Sequence, residues 1–182
     1  MAVNGIKNCY FAIMDDEASD SYSTPVSLSG AVSIDLAPTL VQRSRAVLGG
    51  YGGRNYINYV NGAAGTLSVM ELPIDFYTSV LGYKYQNGCL RRYALKKPVH
   101  FALLYETNDI NGGGVSGRRK VWYDCICSGF PDNLETIAEV MGATPFALSI
   151  TAYARLKDGA ISNSVRLIDD PDKYNNFFEA VL

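Results

Sequence analysis

The chain has 182 residues, of which 48% are hydrophobic and 19% are charged, and its formal net charge is −2. This size and balance are ordinary for one globular domain, and the near-neutral charge argues against an electrostatic binder of nucleic acid. No apolar run reaches the roughly 18 residues that a membrane-spanning helix needs, and the N-terminus lacks the layout of a signal peptide, so we expect synthesis in a cytoplasm.

The first third of the chain predicts two strands followed by a long irregular segment. Residues 8–14 are mostly apolar, and residues 26–36 alternate between apolar and polar side chains, as strands with one buried face do. The acidic cluster between them, residues 15–20, predicts a solvated loop. It could also bind calcium, although it lacks the alternating ligands and the glycine of an EF-hand. Residues 38–62 are interrupted by three glycine-containing pairs and predict a long loop.

The 38–62 loop is rich in tyrosine and arginine, which are enriched at the centres of protein interfaces. Its Gly-Gly-Tyr-Gly-Gly run could indicate a phosphate-binding loop, but neither nucleotide-binding glycine signature is present. Its tyrosines could also stack on sugar rings. We expect the loop to contact other subunits and to become ordered only on assembly. The predicted contact residues are Arg43, Arg45, Tyr51, Arg54, Tyr56 and Tyr59.

Residues 65–82 predict a strand that runs directly into a short helix. Leu67 and Val69 alternate with polar residues, Pro73 suits the first position of a helix over 73–81, and Gly82 is a natural stop. A helix this short is marginal in water, so it must lie against a sheet.

The second half predicts a central hairpin, further strands and a C-terminal helix. Residues 86–97 have the composition of a polar turn region, whereas the nearly continuous apolar run at 99–106 indicates a strand buried on both faces. Glycines at 112–114 mark the hairpin tip, and 119–128 is the returning strand. Residues 133–141 have the spacing of a short helix, 146–156 and 161–167 predict strands, and Asp170-Pro171 begins a helix over 171–181. Together they predict a β-dominated α+β domain, with two packed sheets and a flanking helix.

The residues that could carry chemistry form no catalytic pattern. His100 is the only histidine and no motif supplies a nucleophile or an orienting partner, so we expect a structural role. The four cysteines, which include the pair Cys125-x-Cys127, are expected to be buried free thiols, with a metal or redox site as the alternative. We therefore predict no catalytic residue, no metal, no cofactor and no enzymatic activity.

The order of motifs resembles the major tail proteins, or tail-tube proteins, of long-tailed non-contractile phages (siphophages). The resemblance spans nearly the whole chain, and its specificity lies in the ordered set. The motifs are Gly5-Ile6-Lys7-Asn8 with Tyr10 and Ala12, Gly30-Ala31-Val32-Ser33-Ile34, Leu72-Pro73-x-Asp75-Phe76-x-x-x-Val80-Leu81-Gly82, Lys97-Pro98-x-x-Phe101-Ala102-Leu103-Leu104-Tyr105-Glu106, Tyr123-Asp124-Cys125, Ile150-Thr151-Ala152-x-Ala154-Arg155 and Asp170-x-x-x-Tyr174-x-x-Phe177-Phe178-x-x-Val181.

The resemblance implies a single tail-tube domain over 1–182, with a β-sandwich or barrel-like fold, a flanking helix and long inter-strand loops. It implies hexameric rings of this chain that stack into a tube, the conduit for DNA ejection. The implied partners are other copies of the chain, a tape measure protein in the lumen, tail terminator and distal tail or baseplate proteins, and phage DNA that passes without sequence-specific binding. No membrane is involved, and the implied location is the virion, after assembly in the host bacterial cytoplasm.

The resemblance also implies loop and strand in place of the helix at 133–141, and no appended domain after the C-terminal helix. One departure concerns the 38–62 loop, where relatives are expected to carry an acidic and aromatic segment and this chain has arginines and glycines. Subunit contacts of that loop therefore cannot be transferred. A tail-completion or baseplate-hub ring protein and a monomeric binding module remain the alternative functions.

Overall fold

The computed structural model describes residues 2–16, 20–46, 54–93, 97–111, 114–128 and 145–181. Over this part of the chain, strands dominate and the helices are short. The strands are β1 (Ala2–Asp16), β2 (Ser21–Tyr22), β3 (Val26–Ser27), β4 (Ala31–Ala46), β5 (Arg54–Val69), β6 (Lys84–Gln86), β7 (Cys89–Arg91), β8 (Phe101–Asn111), β9 (Gly114–Cys127), β10 (Phe146–Tyr153) and β11 (Ser162–Arg166). The helices are α1 (Ile74–Ser79) and α2 (Pro171–Asn175).

The described strands form an antiparallel sheet of nine strands and a separate sheet of two. The main path runs β2–β1–β8–β9–β10–β5–β4, with β3 added to β1 and β11 added to β9, while β6 pairs with β7. Phe11 of β1 and Leu67 of β5 come from distant strands of this path, yet they are buried in one core. The sheet therefore curls around that core, as in a barrel. The predicted β-dominated α+β fold class is confirmed.

Helix α1 packs into the curled sheet through one aromatic side chain. Phe76 is completely buried and meets Phe11 and Phe101 edge-on, with ring centroids 5.0 and 5.8 Å apart. The helix begins after Pro73, whose extended backbone forms the N-cap, and the chain turns away at Gly82, where φ is +69°. Because a helix this short is marginal alone, its position depends on this packing.

Helix α2 covers the opposite face of the sheet. Its N-cap is Asp170, whose side chain accepts a hydrogen bond from the Lys173 backbone N–H at 3.0 Å, and Pro171 is the first helical residue. The turn that follows the helix buries Phe177 in a second core. The sheet residues of this core are Ala12, Ala102, Leu104, Val121 and Tyr123.

Strand β8 lies between the two cores and is buried on both faces, as its apolar sequence predicts. Phe101 and Leu103 point into the core with α1, whereas Ala102 and Leu104 point into the core under α2. Because side chains alternate along a strand, a strand covered on both faces needs apolar residues at every position.

The prediction of an irregular loop over 38–62 is wrong wherever the structure describes that segment. Residues 38–46 belong to β4 and residues 54–62 belong to β5, and the two strands pair as one long hairpin. Tyrosine, isoleucine and valine at 56–60 favour strands, and the glycines nearby were given too much weight as loop residues.

Other predicted boundaries change as well. The region 86–97, predicted to be a polar turn, contributes to the hairpin of β6 and β7. The first strand is longer than 8–14, and the hairpin of β8 and β9 extends to Asn111 and Gly114. The predicted helix at 133–141 lies outside the described residues.

Candidate functional site

The outer half of the β4–β5 hairpin is a two-stranded ribbon. Strand β10 pairs with β5 from Val69 to Gly62 and ends there. Beyond that point, residues 54–60 of β5 pair only with residues 40–46 of β4 among the described residues. At about 3.3 Å per residue, the ribbon extends roughly 20 Å past the supported sheet.

The ribbon leaves the sheet at a β-bulge next to two tightly packed glycines. Thr39 pairs with Gly62 but Leu40 pairs with Val60, so β5 carries one extra residue there. A Cβ atom on Gly62 would lie 2.4 Å from the Ala152 carbonyl oxygen, and one on Gly65 would lie 1.7 Å from the Asp35 carbonyl oxygen. These glycines permit close strand approach, and the bulge changes the direction of the hairpin.

An exposed apolar pair lies at the base of the ribbon. Leu40 is 69% exposed and its cross-strand partner Val60 is 49% exposed. In β4, Ile34 and Leu36 alternate on the same face as Leu40 and pack against the core. The apolar stripe of the strand therefore continues beyond the core that covers it. The sequence analysis missed this pair because it assigned both residues to a loop.

The ribbon brings together most of the predicted contact residues. Five of the six lie on its two strands, while Tyr51 lies outside the described residues. The register places Arg43 opposite Ile57, Ser44 opposite Tyr56, Arg45 opposite Asn55, Ala46 opposite Arg54 and Val41 opposite Tyr59. The glycine run considered as a phosphate loop includes residues 49–53 and also lies outside the described residues.

Strand β4 forms an edge of the sheet along the ribbon. In the described part of the chain it pairs only with β5. Pro38 lies within it, and proline in a sheet is confined to edge strands, strand starts or bulges because it lacks an N–H donor. The strand edge therefore presents backbone groups that a further strand could pair with.

A cluster of polar and charged side chains around the buried Glu106 connects strands β1, β8 and β9. Glu106 is 5% exposed; it accepts hydrogen bonds from Asn8 Nδ2 and Arg119 Nε, both at 3.1 Å, and forms an ion pair with Lys7 Nζ at 3.1 Å. Burial alone would raise the pKa of Glu106, but hydrogen bonds from these three residues and from Tyr174 outweigh it and hold the pKa below its ordinary value.

Arg119 connects this cluster to α2. Its guanidinium donates to the carbonyl oxygens of Tyr174 and, at 3.2 Å, Asn175. It also lies over the rings of Tyr174 and Phe178, 4.1 and 4.5 Å from their centroids. Because the carbonyl end of a helix attracts cations, Arg119 holds α2 against the sheet.

His100 has a partner that the sequence analysis did not identify. Its Nδ1 contacts Asp124 Oδ1, and Asp124 has a left-handed backbone with φ of +43°. The contact connects the residue before β8 with β9.

The cysteines are free, but not all of them are buried. Cys9, Cys125 and Cys127 are buried as predicted, and burial raises the pKa of the Cys9 thiol to about 12. The prediction is wrong for Cys89, which is exposed on β7. Within the described ranges, no group of three or more His, Cys, Asp and Glu side chains is placed to hold a metal ion. Neither described helix is long and apolar enough to cross a membrane.

The comparisons with known proteins give distant structural likenesses. No protein-family model matches the sequence, and no curated protein matches it. The fold is similar to a cryo-EM structure of the anti-feeding prophage cap, a tube-terminating cap, with 8% identity, coverage of 87% of each chain and a TM-score of 0.40. It is also similar to a crystal structure of an Hcp protein, with 11% identity, coverage of 87% of this chain and 99% of that one, and a TM-score of 0.37.

Proposed function

We propose that this chain is a structural subunit that assembles with copies of itself, as the major tail protein of a siphophage. In this proposal it forms hexameric rings that stack into the tail tube, through which DNA is ejected. The chain is then one tail-tube domain and acts without catalysis. A tape measure protein fills the lumen during assembly, and terminator and baseplate proteins bind the tube ends.

The observation that carries the proposal is the ribbon formed by residues 40–46 and 54–60. A two-stranded hairpin without further support is at best marginally stable in water. The ribbon also continues an apolar stripe, at Leu40 and Val60, that nothing covers within the described part of the chain. Contact with another subunit would remove both disadvantages, because it would pair an edge and bury the stripe.

The ordered motifs of the sequence support the identity of that subunit. A tube needs one contact that closes into a ring and another that repeats without end, and both are heterologous. A net charge of −2 suits a lumen that DNA passes through, since a strongly basic wall would bind phosphates.

The test is negative-stain electron microscopy of the purified protein over a concentration series. Two variants test whether the ribbon makes the contact between subunits. Leu40→Lys places a charge on the ribbon, and Leu156→Lys is the matched control because Leu156 is 76% exposed and belongs to neither strand of the ribbon. We expect stacked rings or tubes from the wild type and from Leu156→Lys, and their loss in Leu40→Lys.

Three outcomes would contradict the proposal or part of it. A wild type that stays monomeric at every concentration, even with its tape measure and initiator proteins, would exclude a tube subunit. Unimpaired tubes from Leu40→Lys would exclude the ribbon as a contact. Single finite rings that never stack would favour the tail-completion or baseplate-hub alternative.

A further inference from the structure

The hairpin of β6 and β7 is a second exposed feature of the fold. Its two-residue turn, Asn87-Gly88, has positive φ at both positions, +51° and +75°, as a tight hairpin turn requires. All six strand residues are exposed. At its base, the Tyr83 N–H donates to the Tyr77 carbonyl oxygen at 2.9 Å, which ties the hairpin to α1.

The two faces of the hairpin differ in chemistry. Tyr85 and Leu90 are directly paired on one face and are 51% and 39% exposed. Lys84 and Arg91 are directly paired on the other face. Like charges in directly opposed positions destabilise a strand pair, and the contact of Lys84 Nζ with the Tyr93 ring, 5.3 Å from the ring centroid, offsets only part of this repulsion.

The charge around the hairpin differs from that of the rest of the chain. Residues 76–105 contain five of the 16 lysines and arginines and none of the 18 aspartates and glutamates. The remaining residues therefore carry 11 cations against 18 acids. Several of those acids, such as Asp35, Glu71 and Asp75, are exposed. The chain thus offers a cationic projection and exposed carboxylates that would complement it.

We propose that the cationic face of the β6–β7 hairpin docks on an acidic surface of a second copy of this chain. The inference rests on the proposed self-assembly and names a contact separate from the ribbon. Carboxylates of the second copy would relieve the repulsion between Lys84 and Arg91.

Cys89 provides a reporter at the docking face. It pairs with Gln86 on the same face as Lys84 and Arg91, and it is the exposed cysteine, whereas Cys9, Cys125 and Cys127 are buried. A maleimide reagent therefore labels Cys89 preferentially in the folded protein. We expect labelling to be at least roughly tenfold slower in assembled particles than in the monomer.

Charge reversal at Lys84 tests whether charge complementarity contributes to the docking contact. Lys84→Glu places a carboxylate opposite Arg91, which favours the hairpin itself while removing charge complementarity with the second copy. We expect assembly of Lys84→Glu to need a roughly tenfold higher protein concentration. Lys157→Glu changes the net charge equally at another exposed lysine and should assemble like the wild type.

The outcomes separate this inference from the proposed function. If the wild type does not assemble at all, the proposed function fails and the docking contact fails with it. If particles form but Cys89 reacts as fast as in the monomer, or Lys84→Glu assembles as readily as Lys157→Glu, the docking contact is excluded and the proposed function stands. Protection of Cys89 in the monomer by added duplex DNA would assign the cationic face to a polyanion and overturn the inference.

Discussion

The two long hairpins of this fold differ in what flanks them. The hairpin of β8 and β9 is enclosed by the chain's own strands, because β1 follows β8 as far as Ala2 opposite Ile110, and β10 and β11 both pair with β9. Among the described residues, the hairpin of β4 and β5 has such support only as far as Gly62, where β10 ends. Both are antiparallel hairpins rich in strand-forming residues. Within the described residues, the chain therefore supports one hairpin along its whole length and the other only along its inner half.

The same contrast is visible in the side chains. Leu103 of β8 is completely buried, whereas Leu40 of β4 is 69% exposed. Since burial of a leucine contributes roughly 1.5–3 kcal/mol, the first stabilises the monomer and the second contributes only when another surface covers it. The following predictions test this division, beginning with the largest expected effect.

Amide hydrogen exchange should separate the two hairpins most strongly. In the monomer, we expect amides of β8 within the core to exchange at rates set by global unfolding, and amides at 41–46 and 54–60 to exchange faster by a factor on the order of a thousand or more. In assembled particles the ribbon amides should slow markedly while β8 changes little. Protection of the ribbon in the monomer that equals that of β8 would refute the claim that it needs a neighbour.

Matched leucine truncations should give the next largest difference. Leu103→Ala opens a cavity in the core and should lower the free energy of unfolding of the monomer by about 2–5 kcal/mol. Leu40→Ala removes an exposed side chain and should change that free energy by less than about 0.5 kcal/mol. Denaturant unfolding of both variants at a concentration that keeps them monomeric provides the measurement. Equal losses in the two variants would mean that the ribbon belongs to the core after all.

Features that depend on neighbours in sequence could be predicted. The apolar run at 99–106 indicated a strand buried on both faces, and Asp170-Pro171 indicated the start of α2; the structure has both. Pro73 and Gly82 bracketed the short helix for the same reason, since caps and stops are set within a few residues. The predicted lengths were too great, because α1 spans Ile74–Ser79 and not 73–81, and α2 spans Pro171–Asn175 and not 171–181.

Features that depend on distant partners could not be predicted. Gly62 resembles a loop glycine in sequence, and only the carbonyl group of Ala152 shows that it serves strand packing. The contact between Asn8 and Glu106 joins residues 98 positions apart, and no periodicity encodes it. The tyrosines and arginines of the candidate site were predicted to lie in a loop, whereas those in the described residues lie on two strands whose geometry comes from the register between β4 and β5.

The smallest predicted effect concerns the enclosed hairpin, where Glu106 joins β8 to β1, β9 and α2. Its pKa is lowered below 4.5 in the folded protein, so the unfolded chain takes up this proton first as the pH falls. Its contribution to stability is therefore complete above the unfolded pKa and is lost as the pH falls through the folded pKa. One proton changes the free energy of unfolding by at most about 1.4 kcal/mol per pH unit.

Glu106→Gln isolates this contribution, because the pKa values of Asp158 and Asp170 are also lowered and add to the acid sensitivity of the wild type. We expect the variant to be less stable at neutral pH, since Lys7 and Arg119 lose their buried counter-charge, and to lose less stability than the wild type between about pH 6 and pH 3. Denaturant unfolding at several pH values measures how the free energy of unfolding changes with pH in the wild type and in the variant. Parallel pH dependences in the two proteins would show that Glu106 has the same pKa in the folded and unfolded states and contributes nothing to the pH dependence of stability.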